Sequence, residues 1–189
     1  MELKELYSLY RERRVDYDPD GEISDDLIDA GYQMLSEFVD RHQGDHFNVV
    51  ATEQPFHFVL GTAAISGYID RIDRDPNGVL HIIDYKSGKK EVAAKNIAED
   101  LQLGVYALAV SLLYPEEPTI YAELYYLRSG RRKGHLFTKA ELANVEQKLL
   151  EKVNDLIDTE DFKYTANSFI CSFCDFKKIC PVGQKRYPE

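Results

Sequence analysis

The stretch Gly67-Tyr-Ile-Asp-Arg-Ile-Asp-Arg-Asp-Pro-Asn-Gly-Val-Leu-His-Ile-Ile-Asp-Tyr-Lys-Ser-Gly88 decides the fold. Its first half alternates Tyr68, Asp70 and Ile72 against Ile69, Arg71 and Asp73, the period of two expected of a strand. Pro76-Asn77-Gly78 supplies turn chemistry, and residues 79–85 are mostly apolar and β-branched, so the stretch reads as two strands joined by a tight turn. On the second strand the same period places Ile82, Asp84 and Lys86 on one face. A carboxylate and an ammonium beside Ile82 are costly to bury unless something compensates them. Asp70, near the end of the neighbouring strand, turns a second carboxylate toward the same spot. Two carboxylates beside a lysine suit a hard cation with a proton-handling group attached. The plainer reading is a surface hairpin with an Asp–Lys cross-strand pair, and the hairpin alone does not separate the two.

Outward from the hairpin, residues 49–60 read as a preceding strand. Two helices come before it: a short amphipathic one over 1–14 with Leu3, Leu6, Tyr7 and Tyr10 on one face, and a longer one to about residue 42. Ser24 is the expected N-cap of the second, whose inward side is Leu27, Ile28, Gly31, Leu35 and Phe38. An apolar helix is expected over 96–113 and a tyrosine-rich strand over 119–127. A basic turn over 128–134 and a short returning strand at 135–137 follow. Thr138-Lys-Ala-Glu141 is a capping box opening a helix to about residue 157. Residues 161–189 read as irregular and carry all three cysteines. The expectation is an α/β (α+β mixed) fold, a mixed central sheet flanked by helices. It divides into a helical segment (1–45), a core (46–160) and a cysteine-containing tail (161–189).

With 189 residues, 44% hydrophobic and 30% charged, the chain can bury one good core. No apolar run reaches the twenty or so residues that span a bilayer, and the N-terminus lacks a signal-peptide layout, so the expected location is cytoplasmic. Three cysteines within ten residues are not a secreted disulfide framework. The formal charge of −10 is uneven: residues 1–60 carry −9 and residues 61–189 only −1. Lys86, Lys89, Lys90 and Lys95, with Arg128, Arg131, Arg132 and Lys133, are either a local phosphate track or solvated loops.

Asp70 followed by Asp84-Tyr85-Lys86 resembles the D…(D/E)xK signature of the PD-(D/E)xK nuclease superfamily. The words Gly-Tyr-Ile-Asp-Arg-Ile-Asp and Ile-Asp-Tyr-Lys-Ser-Gly are similar to its RecB-like branch. Two further motifs of that branch match in order. They are Q-x-x-x-Y at Gln102 and Tyr106, and C-x2-C-x5-C-P at Cys171, Cys174, Cys180 and Pro181. The resemblance covers roughly residues 50–183. It implies a restriction-endonuclease-like core and hydrolysis of DNA phosphodiesters, on ends or single strands, in repair or recombination.

It also implies roles. Asp70, Asp84 and the backbone carbonyl of Tyr85 would hold Mg²⁺ or Mn²⁺, and Lys86 would orient the attacking water and stabilise developing charge. Gln102 and Tyr106, four apart and so on one helix face, would hold the lysine and touch the phosphate. Glu53 matches an active-site glutamate of the preceding strand, reaching the metal through water or its ligands. An exposed strand carboxylate is the other reading of that residue.

The family's three C-terminal cysteines join a fourth near the N-terminus of the nuclease module to hold a 4Fe–4S cluster. This chain has no fourth cysteine. None of His42, His46, His57, His81 and His135 matches the family's metal-binding histidine, and His81 is expected to face away from Asp84. The resemblance therefore implies the C-terminal portion of a longer helicase-fused protein, with a helicase domain as partner and the cluster absent or incomplete. Should the chain carry a cluster after all, a non-cysteine fourth ligand is required, with Asp175 and His135 the first to test; a zinc site completed by a His or Asp is the other metal reading. The rival functions are a catalytically weak nuclease-like DNA-binding module and a zinc-ribbon interaction domain.

Overall fold

The computed structural model describes residues 2–160, 168–172 and 174–186. The chain forms two compact units, residues 1–151 and residues 152–189. In the first, helices α1 (Leu3–Tyr17) and α2 (Asp25–Arg41) precede strands β1 (Val49–Leu60), β2 (Ala63–Arg74) and β3 (Leu80–Lys86). A 3-10 turn (Ala94–Glu99) leads into α3 (Leu101–Leu113). Strands β4 (Thr119–Tyr126) and β5 (Arg131–Thr138) follow, and then α4 (Lys139–Asp158).

The five strands make one sheet in the order β1-β2-β3-β4-β5. All neighbours are antiparallel except β3 and β4, which run parallel. A parallel pair requires a crossover, and α3 supplies it. This is the mixed sheet flanked by helices that the hairpin and its neighbours foretold.

Ile72, Leu80, Ile82, Ile120, Ala122 and Leu124 from the sheet meet Leu103, Ala107 and Val110 of α3 and Leu142 of α4 in one core, each nearly or fully buried. Small residues set the spacing. A Cβ on Gly104 of α3 would sit 3.1 Å from Val145 of α4. One on Gly67 would sit 2.8 Å from the Phe56 ring, which packs edge-on to Tyr106 with centroids 5.9 Å apart. The glycine of Gly-Tyr-Ile-Asp thus lets β1 lay an aromatic across β2 toward α3.

Four expectations change. The helix expected over 96–113 begins at Leu101, because Asp100 caps it by accepting a hydrogen bond from Leu103 N (3.1 Å). The basic turn expected over 128–134 is confined to residues 127–130, and the returning strand expected at 135–137 starts earlier, as the eight-residue β5, its arginines pairing with β4 at the sheet edge. Ser24 sits at the N-cap of α2 without a side-chain capping bond. Leu27, expected inward, is exposed because α2 turns Gly31 rather than its first turn to the interior. Elsewhere the helix signals hold: Tyr7 and Tyr10 of α1 pack edge-on against Tyr32 of α2, and Thr138 and Glu141 form the reciprocal capping bonds.

In the second unit, Ser168–Ser172 and Pro181–Arg186 are short helices (α5 and α6) flanking a 3-10 turn, Asp175–Lys178, where no regular structure was expected. Residues 161–167, 173 and 187–189 lie outside the described residues. No described helix is long and apolar enough to cross a membrane.

Candidate active site

Asp70 comes from β2, Asp84 and Lys86 from β3, and Gln102 and Tyr106 from α3, which crosses directly from the end of β3. Backbone register brings the first two together. Ile72 pairs with Ile82 across the antiparallel ladder, and just beyond it Asp70 Oδ2 accepts a hydrogen bond from Tyr85 N at 2.8 Å. Strict alternation would send Ile69 and Ile72 to opposite faces of the sheet, yet both are fully buried in the α3-side core. The phase changes at the same level on β1, where Ala51 and Phe56 both pack against that core. Glu53 lies between them with φ +48°, the only non-glycine residue among those described in the left-handed region, and it takes no partner in the ladder. A local irregularity of this kind re-aims side chains. Asp70 follows a buried isoleucine and shares a face with Asp84, which the β2–β3 register sets opposite it.

From Asp84 the side chains form a row. Lys86 Nζ lies 2.6 Å from Asp84 Oδ2 and donates to Gln102 Oε1 at 2.7 Å. Gln102 Nε2 donates to the Tyr106 hydroxyl oxygen at 2.9 Å. Both ends of the Gln102 amide are therefore committed, which fixes its orientation. Because the Tyr106 oxygen accepts that bond, its own proton is left to donate elsewhere.

Asp84 is 3% exposed. Its Oδ2, though close to the Lys86 ammonium, receives no hydrogen bond of proper direction. The contact is an ion pair rather than a satisfied acceptor. Burial pushes the Asp84 carboxyl above its ordinary range, the Lys86 pair pulls it back only in part, and the charges of Asp70 and Asp100 push it up again. Burial likewise holds the Tyr106 phenol above its usual range, against the Gln102 bond and with the Asp84 and Asp70 charges.

A divalent cation fits this set. Two carboxylates converge, and one keeps a buried oxygen that no protein donor satisfies, whereas Mg²⁺ asks for few carboxylates and completes its shell with water and substrate oxygens. The cysteines do not fit a 4Fe–4S cluster. Cys171, Cys174 and Cys180 are free thiols, the chain has no fourth, and among the described residues no three His, Cys, Asp or Glu side chains are grouped to hold a metal. His135 lies 2.8 Å from Glu141 Oε1.

Five residues read from the sequence thus meet: Asp70, Asp84, Lys86, Gln102 and Tyr106. Glu53 does not join them by any hydrogen bond or ion pair among the described residues, and it is exposed. His81 faces the other side of the sheet, its ring 4.3 Å from that of Tyr121. Asp100 was missed as a contributor. An Asp directly before the apolar run Leu101-Gln-Leu103 is an N-cap signal, and it would have placed the helix start correctly.

Comparison with known proteins agrees with this geometry. The sequence profile of the PD-(D/E)XK nuclease superfamily matches residues 3–181. The Gene 69 protein of Mycobacterium phage L5 is 30% identical over 138 residues, 70% of this chain and 44% of that protein. The Gene 69 protein of Mycobacterium phage D29 is 29% identical over 137 residues, again 70% of this chain and 48% of the relative. The chain thus spans less than half the length of either phage protein. Among solved structures, a candidate exonuclease from Eubacterium rectale superposes with a TM-score of 0.53 at 13% identity, covering 90% of this chain and 69% of that one.

Proposed function

The chain belongs to the PD-(D/E)XK nuclease superfamily, and from that premise we propose that it is a Mg²⁺- or Mn²⁺-dependent deoxyribonuclease of the RecB-like branch, acting on DNA ends or single strands in repair or recombination. A helicase in the same parent chain or complex is the proposed partner. The observation that carries the reading is the row Asp84–Lys86–Gln102–Tyr106 facing Asp70, with one Asp84 oxygen buried and lacking a directed hydrogen bond.

In this reading Asp70 and Asp84, with the Tyr85 carbonyl, hold the cation, which when bound neutralises phosphate charge and makes water a competent nucleophile at neutral pH. The residues of the chain do the rest. Tyr85 N–H locks the Asp70 carboxylate, so little rotamer freedom is left to lose when substrate arrives. Lys86 is held at one side by the Asp84 charge and at the other by the Gln102 carbonyl, leaving its remaining proton for an attacking water or a phosphate oxygen. Tyr106, kept protonated, donates to the phosphate. Glu53 acts from the neighbouring strand through water.

The test is cleavage of a labelled single strand and a labelled duplex by the protein with Mg²⁺, with Mn²⁺ and with EDTA. Cutting confined to the metal-containing reactions, with the labelled end shortened progressively, is the expected result. Absence of cutting with either metal sinks the reading.

A further inference from the structure

Of the eight Lys and Arg side chains between Lys86 and Lys133, most are used internally. Lys86 belongs to the site, and Arg132 donates to Glu123 through Nε at 2.8 Å. Arg128 Nε donates to the Ser87 carbonyl at 2.7 Å. Arg131 and Lys133 both reach Glu91. Lys89, Lys90 and Lys95 are different: all three are exposed with no hydrogen-bond or salt-bridge partner among the described residues, and Lys89 and Lys90 are the two beside the site, in the segment that leaves β3.

The loop that carries them is not loose. Residues 87–92 leave β3 immediately after Lys86 and are fastened at both ends to β4, β5 and the turn between them. Leu127 N donates to the Lys86 carbonyl (3.0 Å), Val92 N donates to the Tyr126 hydroxyl (2.8 Å), and Lys133 Nζ donates to the Val92 carbonyl (2.7 Å). Glu91, half-buried, gathers Ser129 Oγ at 2.7 Å, Lys133 Nζ at 2.9 Å and Arg131 at 3.4 Å. The Lys133 and Ser129 bonds hold the Glu91 carboxyl down to about 2, so the clamp is charged at every working pH. Flexible surface loops ordinarily leave lysines free and the backbone unfastened. Here the backbone is pinned at both ends of the segment, and of the charges within residues 87–92 the two ammonium groups have no partner among the described residues, three and four residues from Lys86, in a chain whose net charge is −10.

We propose that residues 87–92 form a phosphate-holding subsite for the strand of nucleic acid entering the active site, with Lys89 and Lys90 as its cations and Glu91 as the residue that positions them. The inference rests on the nuclease reading for the identity of the strand. Its geometry is independent of the metal. Pinning the loop means that little ordering entropy is lost on binding, and each lysine replaces condensed counterions on one backbone phosphate.

The test measures anisotropy of a fluorescein-labelled single-stranded oligonucleotide in EDTA across a salt series, alongside cleavage of the same strand by the unaltered protein with Mn²⁺. Lys89→Gln/Lys90→Gln is expected to weaken binding about tenfold near 0.1 M salt and to reduce the log–log salt slope by about 1.4, two single-strand phosphate contacts. Lys4→Gln/Lys148→Gln removes the same charge from exposed positions on α1 and α4 and should change affinity less than twofold. Glu91→Gln adds a positive increment, which on net charge alone would tighten binding; the positioning role requires that it weaken. If the protein cuts the strand but the two double variants lose affinity equally, or Glu91→Gln binds more tightly, the subsite is wrong and the nuclease reading stands. If binding depends on Lys89 and Lys90 but nothing is cut, the subsite stands and the nuclease reading falls. No binding by the unaltered protein overturns both.

Discussion

The two faces of the sheet bury charge in opposite ways. On the face away from α3, Arg71 grips Asp73 with two bonds of 2.7 Å, lies over the Phe47 ring at 4.2 Å, and reaches the Tyr85 hydroxyl at 3.4 Å. Burial works to lower the Arg71 guanidinium, but Asp73 and Tyr85 outweigh it and hold it above its ordinary value. Glu123, buried on the same face, is taken by Arg132. Every one of these charges is completed by a directed bond. On the α3 face the balance is reversed: Asp84 has a lysine beside it and still sits above its ordinary range, with an oxygen that nothing satisfies. Residues 84 and 85 are adjacent in one strand, so the difference is one of face, not of region. A paired buried charge is structural, whereas an incompletely paired one is kept for a ligand that arrives later.

The comparison predicts its largest effect on the finished side. Asp73→Ala leaves the Arg71 guanidinium, 11% exposed, without its bidentate partner. Breaking such a pair costs about 3–5 kcal/mol, and urea unfolding should show it as a lower midpoint at unchanged slope. A loss under about 1 kcal/mol would mean that Arg71 rotates to water and that this face is no more finished than the other.

On the unfinished side the effect falls on rate. Lys86→Ala should slow Mn²⁺-dependent cleavage by roughly 10²-fold or more, the usual scale for a group assisting proton transfer or charge stabilisation. Its unfolding midpoint at pH 7 should also fall, though less than for Asp73→Ala, because Lys86 is one-third exposed while the buried Asp84 loses its counter-charge. Parental cutting by this variant would move the catalytic role elsewhere in the row.

Most of this contrast was legible beforehand. The period of two put Ile82, Asp84 and Lys86 on one face and His81 on the other, and four-residue spacing put Gln102 and Tyr106 together on α3. Two things were hidden. The Arg132–Glu123 pair depends on which strand lies beside which, and no local pattern encodes sheet order, whereas Arg71 and Asp73 are two apart on one strand and their shared face was legible. The phase change between Ile69 and Ile72 lies beside a backbone irregularity at a glutamate, a residue type that announces no turn.

Asp84→Asn should make the trade between stability and function visible. A carboxyl raised above its unfolded value stabilises the fold while protonated, and that contribution is lost as pH rises through the folded pKa. At pH 7 in EDTA the charged Asp84 is therefore a burden, and the neutral amide should raise Tm by about 2–4 °C, the scale of about 1 kcal/mol in a domain of this size. The gain should shrink as pH falls and the raised Asp84 carboxyl of the parent takes up its proton. The same substitution should abolish cleavage. A lower Tm at pH 7 would show that the Lys86 pair, not burial, dominates at Asp84.

The smallest effect tests the left-handed backbone at Glu53 on the strand beside Asp70. At an ordinary strand position glycine in place of a larger residue costs about 1 kcal/mol, because it adds unfolded-state freedom and packs nothing. Glu53 has φ +48°, where a side chain itself costs roughly 1–2 kcal/mol and glycine costs almost nothing. The two terms oppose each other, and Glu53→Gly should come out stabilising by about 0.5 kcal/mol. His57→Gly, on the same strand, exposed and with extended ladder pairing to Ser66, should instead be destabilised by about 1 kcal/mol. Equal losses at the two positions would mean that the left-handed backbone carries no strain. If Glu53→Gly folds more stably yet cuts more slowly, the carboxylate is retained at a strained position for its chemistry, as strain at functional sites commonly is. If it folds more stably and cuts at the parental rate, Glu53 is an exposed strand carboxylate and only its backbone serves the site.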